Sequence, residues 1–174
     1  MKAQGRVGPL LAGLAASGKL PPSLIFEGPE GAGKELAAVK LAAMLECDRV
    51  GPVGTGTPLF DDAPAPQAAA GPCEGPGRCD ACARVGRLEH PDFRPVYPVP
   101  HADLETGPAL VVESRREDFF NAGEFSERRA RSIGIELVRG VTETLSKHPF
   151  EGKRTVVALF EAHLATVEAQ NALL

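Results

Sequence analysis

Apolar side chains recur at helical spacing in the first part of this sequence. Four of them near the N-terminus fall on one helix face: Val7, Leu10, Leu11 and Leu14. This pattern predicts a helix over residues 2–18, ended by Gly18. A short apolar run at 24–26 then enters a glycine-rich turn, and a second helical pattern covers residues 36–46. The order predicts a buried strand, a loop and a helix.

The C-terminal part gives a second set of elements. Four apolar residues lie on one face of a predicted helix that Pro149 and Gly152 close: Ile135, Val138, Val141 and Leu145. Residues 155–160 form a continuous β-branched and apolar run, typical of a strand buried on both faces of a parallel sheet. A final helix begins near Thr166. Repeated strand–loop–helix units predict a doubly wound α/β fold, with a parallel sheet flanked by helices.

The middle of the chain carries weaker signals. Residues 48–72 are rich in Gly, Pro and Ala, which predicts a long, poorly ordered loop. A strand near Val96 and Tyr97 is expected to be short or at an edge, because prolines flank it. Residues 109–112 predict another short strand, and the alternating charges of 113–131 are typical of a solvated helix face.

Composition narrows the class of protein. A hydrophobic content of 43% is that of a globular protein, and no apolar run is long enough to span a membrane. The N-terminus lacks the pattern of a signal peptide. A net charge of −4 argues against strong autonomous binding to nucleic acid. The sequence stops inside a helical pattern, so we expect a fragment of a longer, cytoplasmic protein.

The glycine-rich turn carries the first candidate chemistry. Gly28, Gly33 and Lys34 have the spacing of a nucleotide-binding P-loop, with Gly31 between them. In such a loop, backbone N–H groups and the helix N-terminus hold a phosphate, and the lysine reaches the terminal phosphates. The next position of the motif is Ser or Thr, whose hydroxyl holds Mg²⁺, and here it is Glu35. This carboxylate would repel a phosphate.

Four cysteines form the second candidate site. Cys47, Cys73, Cys79 and Cys82 are separated by 25, 5 and 2 residues, and they are the only cysteines in the chain. The tight C-x-x-C pair and the absence of a secretion signal favour a closed, structural Zn²⁺ site in a reducing compartment. Unrelated free cysteines and a redox C-x-x-C pair are the alternatives. His90 is an alternative ligand to Cys47, although its His-Pro-Asp turn favours a structural role.

Three stretches together resemble a known family. They are Leu20-Pro21-Pro22-Ser23-Leu24-Ile25-Phe26 before Gly28-Pro29-Glu30-Gly31-Ala32-Gly33-Lys34, the cysteine module ending in His90-Pro91-Asp92-Phe93, and residues 133–174 ending in Asn171-Ala172-Leu173-Leu174. They resemble the N-terminal AAA+ domain of bacterial DNA polymerase III clamp-loader subunits and cover roughly two thirds of the chain. The resemblance implies one AAA+ domain over residues 1–174, with an inserted loop and four-cysteine zinc module at 47–93.

The resemblance also bears on catalysis. In this family the ATP-hydrolysing gamma/tau subunits carry Asp-Glu after the buried strand, whereas delta-prime subunits do not hydrolyse ATP. Here the corresponding pair is Phe160-Glu161, and Phe160 cannot hold a cation. Both expected protein partners of Mg²⁺ are therefore absent, so we expect no intrinsic ATPase activity and doubtful binding of ATP or ADP at Gly28, Gly31, Gly33 and Lys34.

The resemblance implies a subunit that works inside a larger assembly. Its expected partners are gamma/tau and delta within the DNA polymerase III holoenzyme, and the sliding clamp and primed DNA through the complex, with no membrane. One alternative is an active gamma/tau-like ATPase in which Glu161 or Glu35 recruits the metal. A metal-dependent nucleic-acid-binding module is the third interpretation, and the acidic composition disfavours it.

Overall fold

The computed structural model describes residues 7–17, 19–49, 73, 78–100, 108–109, 111–113 and 131–173. The chain divides into two compact units, Met1–Gly86 and Arg87–Leu174, and each is described by itself. The loop predicted at 48–72 lies outside the described residues from position 50 onward. Most of the charged run at 113–131 also lies outside them.

Three helices form the described part of the first unit. They are α1 (Val7–Ser17), α2 (Lys34–Glu46) and α3 (Asp80–Gly86). Helix α2 packs against both of the others. Its many small and aliphatic residues are buried nearly all round, which makes it the centre of this unit. The sequence predicted α1 and α2 correctly. The predicted ends of α1, at residues 2–6 and Gly18, lie outside the described part.

The strand predicted at 24–26 is wrong in this structure. Residues 23–29 adopt no regular secondary structure, and the side chain of Ile25 is 94% exposed. A strand requires a neighbour that supplies backbone hydrogen bonds, and no residue in the described part of the chain pairs with this run. The apolar composition of residues 24–26 was therefore insufficient to form a strand.

The described part of the second unit contains two small sheets, two complete α-helices and a few more helical residues at 108–109 and 111–113. Its elements in chain order are β1 (Phe93–Val96), β2 (Val99–Pro100), β3 (Arg131–Ser132), α4 (Ile135–Leu145), β4 (Val156–Leu159), a 3₁₀ helix (Ala162–Leu164) and α5 (Val167–Leu173). Strands β1 and β4 are parallel, with Phe93 opposite Val156 and Val96 opposite Leu159. Strands β2 and β3 form a two-residue antiparallel ladder. The unit is thus a mixed α/β structure.

The predicted parallel strand is confirmed, but its burial is not. All four residues of β4 are only partly buried, and in the described residues β4 has one hydrogen-bonded neighbour. The extensive doubly wound sheet expected from the sequence is therefore seen only as this two-stranded core. Strand β1 is short and contains Pro95, as its sequence predicted, because proline cannot donate to a central ladder.

Local packing explains the remaining elements. Ile133, Val138 and Ala169 form a buried cluster that joins the start of α4 to α5. Helix α4 buries Val138 and Val141 of its predicted face but leaves Leu145 exposed at its end.

The strand predicted at 109–112 is wrong, because residues 108–109 and 111–113 are helical. No helix in the described ranges is both long and apolar enough to cross a membrane.

Candidate functional site

The glycine-rich turn adopts a backbone that glycine favours. Gly28, Gly31 and Gly33 have φ angles of 155°, 73° and 80°. Gly33 lies in the left-handed region immediately before α2, and its carbonyl accepts the first helical bond from the Ala37 N–H at 2.9 Å. A β-carbon at that φ would be strained, so the sequence of glycines fixes the curvature of the turn. Residues 28–34 are called the glycine loop below.

The lysine of the glycine loop bonds to the loop itself. The Nζ of Lys34 donates to the carbonyl oxygens of Gly28 at 2.8 Å and of Pro29 at 2.6 Å. An incoming phosphate would have to compete with these two carbonyls for the ammonium. The carboxylate of Glu35 stands in the first turn of α2, where it interacts favourably with the helix dipole and opposes a second anion. The glycine loop thus has the backbone of a phosphate-binding loop, but its lysine is already bonded to loop carbonyls and the Glu35 carboxylate disfavours a phosphate.

The four cysteines meet at one point of the first unit. The sulfur atoms of Cys47, Cys73, Cys79 and Cys82 all lie within 4.8 Å of one another. The Sγ of Cys47 is 3.4 Å from that of Cys73 and 3.8 Å from that of Cys79. Because Zn–S bonds are about 2.3 Å long, the edge of a tetrahedral ZnS₄ site is about 3.8 Å. The donor set and its spacing therefore fit a four-thiolate metal site.

The helices place these cysteines. Cys47 follows the last residue of α2 in an extended conformation, whereas Cys79 precedes α3 and Cys82 lies in its first turn. The Cys82 thiol also donates to the carbonyl of Ala43 at 3.3 Å, which ties α3 to α2. Burial, followed by the hydrogen bond with Cys79, raises the pKa of the Cys82 thiol. Four thiolates without a cation would repel one another here.

His90 belongs to a different structural feature. It lies in the second unit, its Nδ1 accepts the Asp92 N–H at 3.2 Å, and its Nε2 is 3.9 Å from an oxygen of Glu151. Among the described residues, the group of metal-ligand side chains contains the four cysteines and not His90. The structural role predicted for the His-Pro-Asp turn agrees with these contacts.

Asp92 is a structural residue whose contacts the sequence did not reveal. Its side chain is buried, and its two oxygens accept the backbone N–H groups of Phe150 at 2.5 Å, Glu151 at 2.9 Å and Gly152 at 2.6 Å. Burial opposes ionisation, but the N–H bonds together with His90 outweigh it and lower the pKa of the Asp92 carboxyl. Asp92 thus fixes the loop that leads into β4.

The position after β4 is occupied by a core residue. Phe160 is buried, its ring stacks on Tyr97, and its N–H donates to the carbonyl of Val96 at 2.9 Å. The next residue, Glu161, has a φ of 52°, and its Oε2 lies 3.6 Å from the Nη2 of Arg131. The side chain at position 160 therefore offers no metal ligand, and the carboxylate at position 161 faces a guanidinium.

Comparison with known families gives one match. The family described as DNA polymerase III, delta subunit, matches residues 59–174, the larger part of the chain. The matched range includes three of the four cysteines and all of the second unit, and it begins after the glycine loop. Comparison with curated protein sequences gives no significant match. The chain belongs to the DNA polymerase III delta subunit family, and it is a clamp-loader-type subunit of that polymerase.

Proposed function

We propose that this chain is a delta-prime-type, non-hydrolysing subunit of the DNA polymerase III clamp loader. The observation that carries the proposal is the packing of Phe160, which is 4% exposed and stacked on Tyr97 where the active subunits of the resembled family carry a metal-binding aspartate. A buried aromatic ring there supports the stability of the core. It provides no site for a metal-bound water.

The absence of metal ligands bears directly on phosphoryl transfer. Most of the catalysis in this reaction comes from stabilising the negative charge on the transferred group, with Mg²⁺ as the main contributor. Position 35 is Glu and position 160 is Phe, so neither expected protein ligand is present. The carboxylate of Glu161 lies beside Arg131, which favours an ion pair over recruitment of a metal.

The glycine loop is proposed to have a structural role. Gly28, Gly31, Gly33 and Lys34 are the residues that would hold a phosphate if one bound. The ammonium of Lys34 already donates to two loop carbonyls, and Glu35 adds a negative charge at the helix N-terminus. These contacts support weak binding of ATP or ADP, or none, with the loop serving as the connection into α2.

We further propose that Cys47, Cys73, Cys79 and Cys82 hold a structural zinc ion. Its support is the mutual approach of the four sulfur atoms within 4.8 Å. A zinc ion bound by four thiolates has no open position for substrate, so it would supply cross-linking of α2 to α3 rather than catalysis. The module spans residues 47–93 of one AAA+ domain over residues 1–174 in this proposal.

The proposed partners follow from the family. The chain would assemble with gamma/tau and delta in the cytoplasm, and it would reach the sliding clamp and primed DNA through that complex. Its own contribution would be to hold the assembly in shape, while a neighbouring subunit hydrolyses ATP. Such a role would require the fold of the domain but not the Mg²⁺ ligands at positions 35 and 160.

Titration calorimetry and a loading assay test the proposal. The purified full-length protein is titrated with ATP with and without Mg²⁺, and loading of the clamp onto primed DNA is measured with and without this subunit. We expect no Mg²⁺-dependent micromolar binding and a loading defect when the subunit is omitted. Mg²⁺-dependent micromolar binding with turnover by the isolated subunit, or full loading without it, would overturn the proposal.

A further inference from the structure

One aromatic side chain of the second unit projects from the surface. Phe150 is 84% exposed, whereas most large apolar side chains are buried in the core of the protein. Leu145, the last residue of α4, is also exposed, at 53%. Leu145 ends α4, and Phe150 lies in the connection between α4 and β4. Residues 146–154 of this connection are called the Phe150 loop.

The Phe150 loop is held in place from beneath. The buried carboxylate of Asp92 accepts the N–H of Phe150 itself and those of the next two residues, Glu151 and Gly152. Charge-assisted bonds of this kind are among the stronger hydrogen bonds in proteins. The exposed ring therefore sits on a backbone that is already ordered. Ordering before contact lowers the entropic cost of association, as expected for a recognition residue.

The sheet gives the position of this loop. Asp92 immediately precedes β1 and the Phe150 loop precedes β4, so both lie at the amino-terminal end of the parallel pair. Phe160 follows β4 at the opposite end. Small ligands of open parallel sheets bind at the carboxyl ends of the strands. The Phe150 loop thus lies at the end of the strands opposite the one where such ligands bind.

The charges around Phe150 have a definite sign. Within residues 146–154 the side chains of Lys147, Lys153 and Arg154 are exposed cations, and Glu151 is the single carboxylate. The whole chain carries a net charge of −4, so this loop differs in sign from the protein as a whole. An aromatic ring flanked by cations is complementary to an apolar pocket with an acidic rim.

We propose that the Phe150 loop docks onto another protein subunit of the polymerase III complex, at an apolar pocket that takes the ring of Phe150 and is bordered by carboxylates facing Lys153 or Arg154. The inference uses the family membership and does not depend on whether the subunit hydrolyses ATP. Single-stranded DNA is the competing partner, since bases stack on aromatic rings beside cations. A protein is favoured because the net charge of −4 on the whole chain opposes long-range attraction to a phosphate backbone.

The experiment measures association of the full-length chain with each of the other purified polymerase III subunits. We compare wild type with Phe150→Ala, Phe150→Tyr and the double variant Lys153→Glu, Arg154→Glu. Phe150→Ala is expected to weaken binding to one subunit at least about tenfold, as buried aromatic anchors do. Phe150→Tyr should retain most of the affinity. The double charge reversal should weaken binding and remove most of its dependence on salt.

Val167→Ala is the matched control, because Val167 is an apolar residue of the same unit that is 67% exposed outside the Phe150 loop. It should leave binding unchanged, and thermal unfolding should show all variants folded. Equal effects of Phe150→Ala and Val167→Ala would overturn the proposal. Loss of affinity for a single-stranded oligonucleotide, with unchanged binding to every subunit, would assign the loop to DNA and also overturn it.

Discussion

The ring of Phe160 stacks on that of Tyr97, with centroids 4.7 Å apart and planes inclined by 20°. Both residues are buried, at 4% and 3% exposure, and Phe160 also continues the β1–β4 hydrogen bonding through Val96. A residue that fills the core in this way is unsuited to the exposed, metal-facing role of a catalytic carboxylate. The stacked pair therefore stabilises the second unit, and it occupies the position that a catalytic carboxylate would need for the ATP hydrolysis that we propose is lost.

The first prediction concerns replacement of Phe160 by aspartate. Phe160→Asp should lower the free energy of unfolding by at least about 4 kcal/mol, because it removes a stacked ring and buries a carboxylate. It should not create Mg²⁺-dependent ATPase activity. Denaturant unfolding and a steady-state ATPase assay of the isolated subunit check these outcomes.

Phe160→Leu is the matched control for that change. It keeps an apolar side chain and should cost only about 1–2 kcal/mol, the scale of a partly filled core cavity. If Phe160→Asp folds as stably as Phe160→Leu and gains ATP hydrolysis, position 160 is a dormant metal site. The structural role given to the ring would then be incorrect.

The second prediction is a pH dependence from Asp92. Its pKa is lowered in the folded protein, so its carboxylate adds stability above its unfolded pKa of about 4. This contribution is lost as the pH falls through the lower, folded pKa. Asp92→Asn should cost about 2–4 kcal/mol at pH 7, since an amide cannot accept all three N–H bonds as the carboxylate does.

Urea unfolding at pH 7 and at pH 3 measures this difference. The gap in unfolding free energy between wild type and Asp92→Asn should narrow at the lower pH. Glu136→Gln serves as a control, because Glu136 forms an exposed ion pair with Arg139 and should contribute little at either pH. A gap that stays constant with pH would show that the carboxylate charge is unimportant to this loop.

The third prediction concerns the cysteine cluster. Protein purified without chelators should contain one zinc ion per chain, and Cys79→Ser should contain almost none and unfold at a lower temperature. Ala83→Ser, a change in the same helix that keeps all four thiols, should retain the zinc. Metal analysis and thermal unfolding with and without a chelator are the measurements. Zinc near zero in the wild type would remove the proposed metal site.

The fourth prediction concerns Glu161. Its carboxylate lies beside Arg131, with both side chains partly exposed, so Glu161→Gln should cost less than about 1 kcal/mol. The ATPase rate of the reconstituted complex should stay at the wild-type value. Arg131→Gln is the paired control and should have a similarly small effect. A fall in ATPase rate with Glu161→Gln alone would indicate that this carboxylate acts in hydrolysis.

Local sequence signals predicted helices α1, α2, α4 and α5 and the clustering of the four cysteines. Residues 36–46 carry helix-forming side chains after a glycine, and α2 appears over Lys34–Glu46. The C-x-x-C spacing and the restricted number of cysteines indicated a cluster, and the structure brings all four sulfur atoms together. These features depend on residues near in sequence or on side chains with few alternative roles.

Features that depend on distant partners were not predictable. Residues 24–26 have a strand-like composition, but a strand forms only where another one supplies its hydrogen bonds. The contacts of Asp92 join residues 58 to 60 positions apart, and no periodicity reveals them. The stacking of Phe160 on Tyr97 likewise required the parallel register of β1 and β4.

The most direct test of the account is the steady-state ATPase rate of the assembled clamp loader carrying Lys34→Ala in this subunit. DNA-stimulated hydrolysis is compared with the wild-type complex and with a complex in which the equivalent lysine of the ATP-hydrolysing subunit is replaced. We predict an unchanged rate for Lys34→Ala and a large loss for the second complex. A large loss of rate from Lys34→Ala, in a complex that assembles normally, would contradict the proposed non-hydrolysing role.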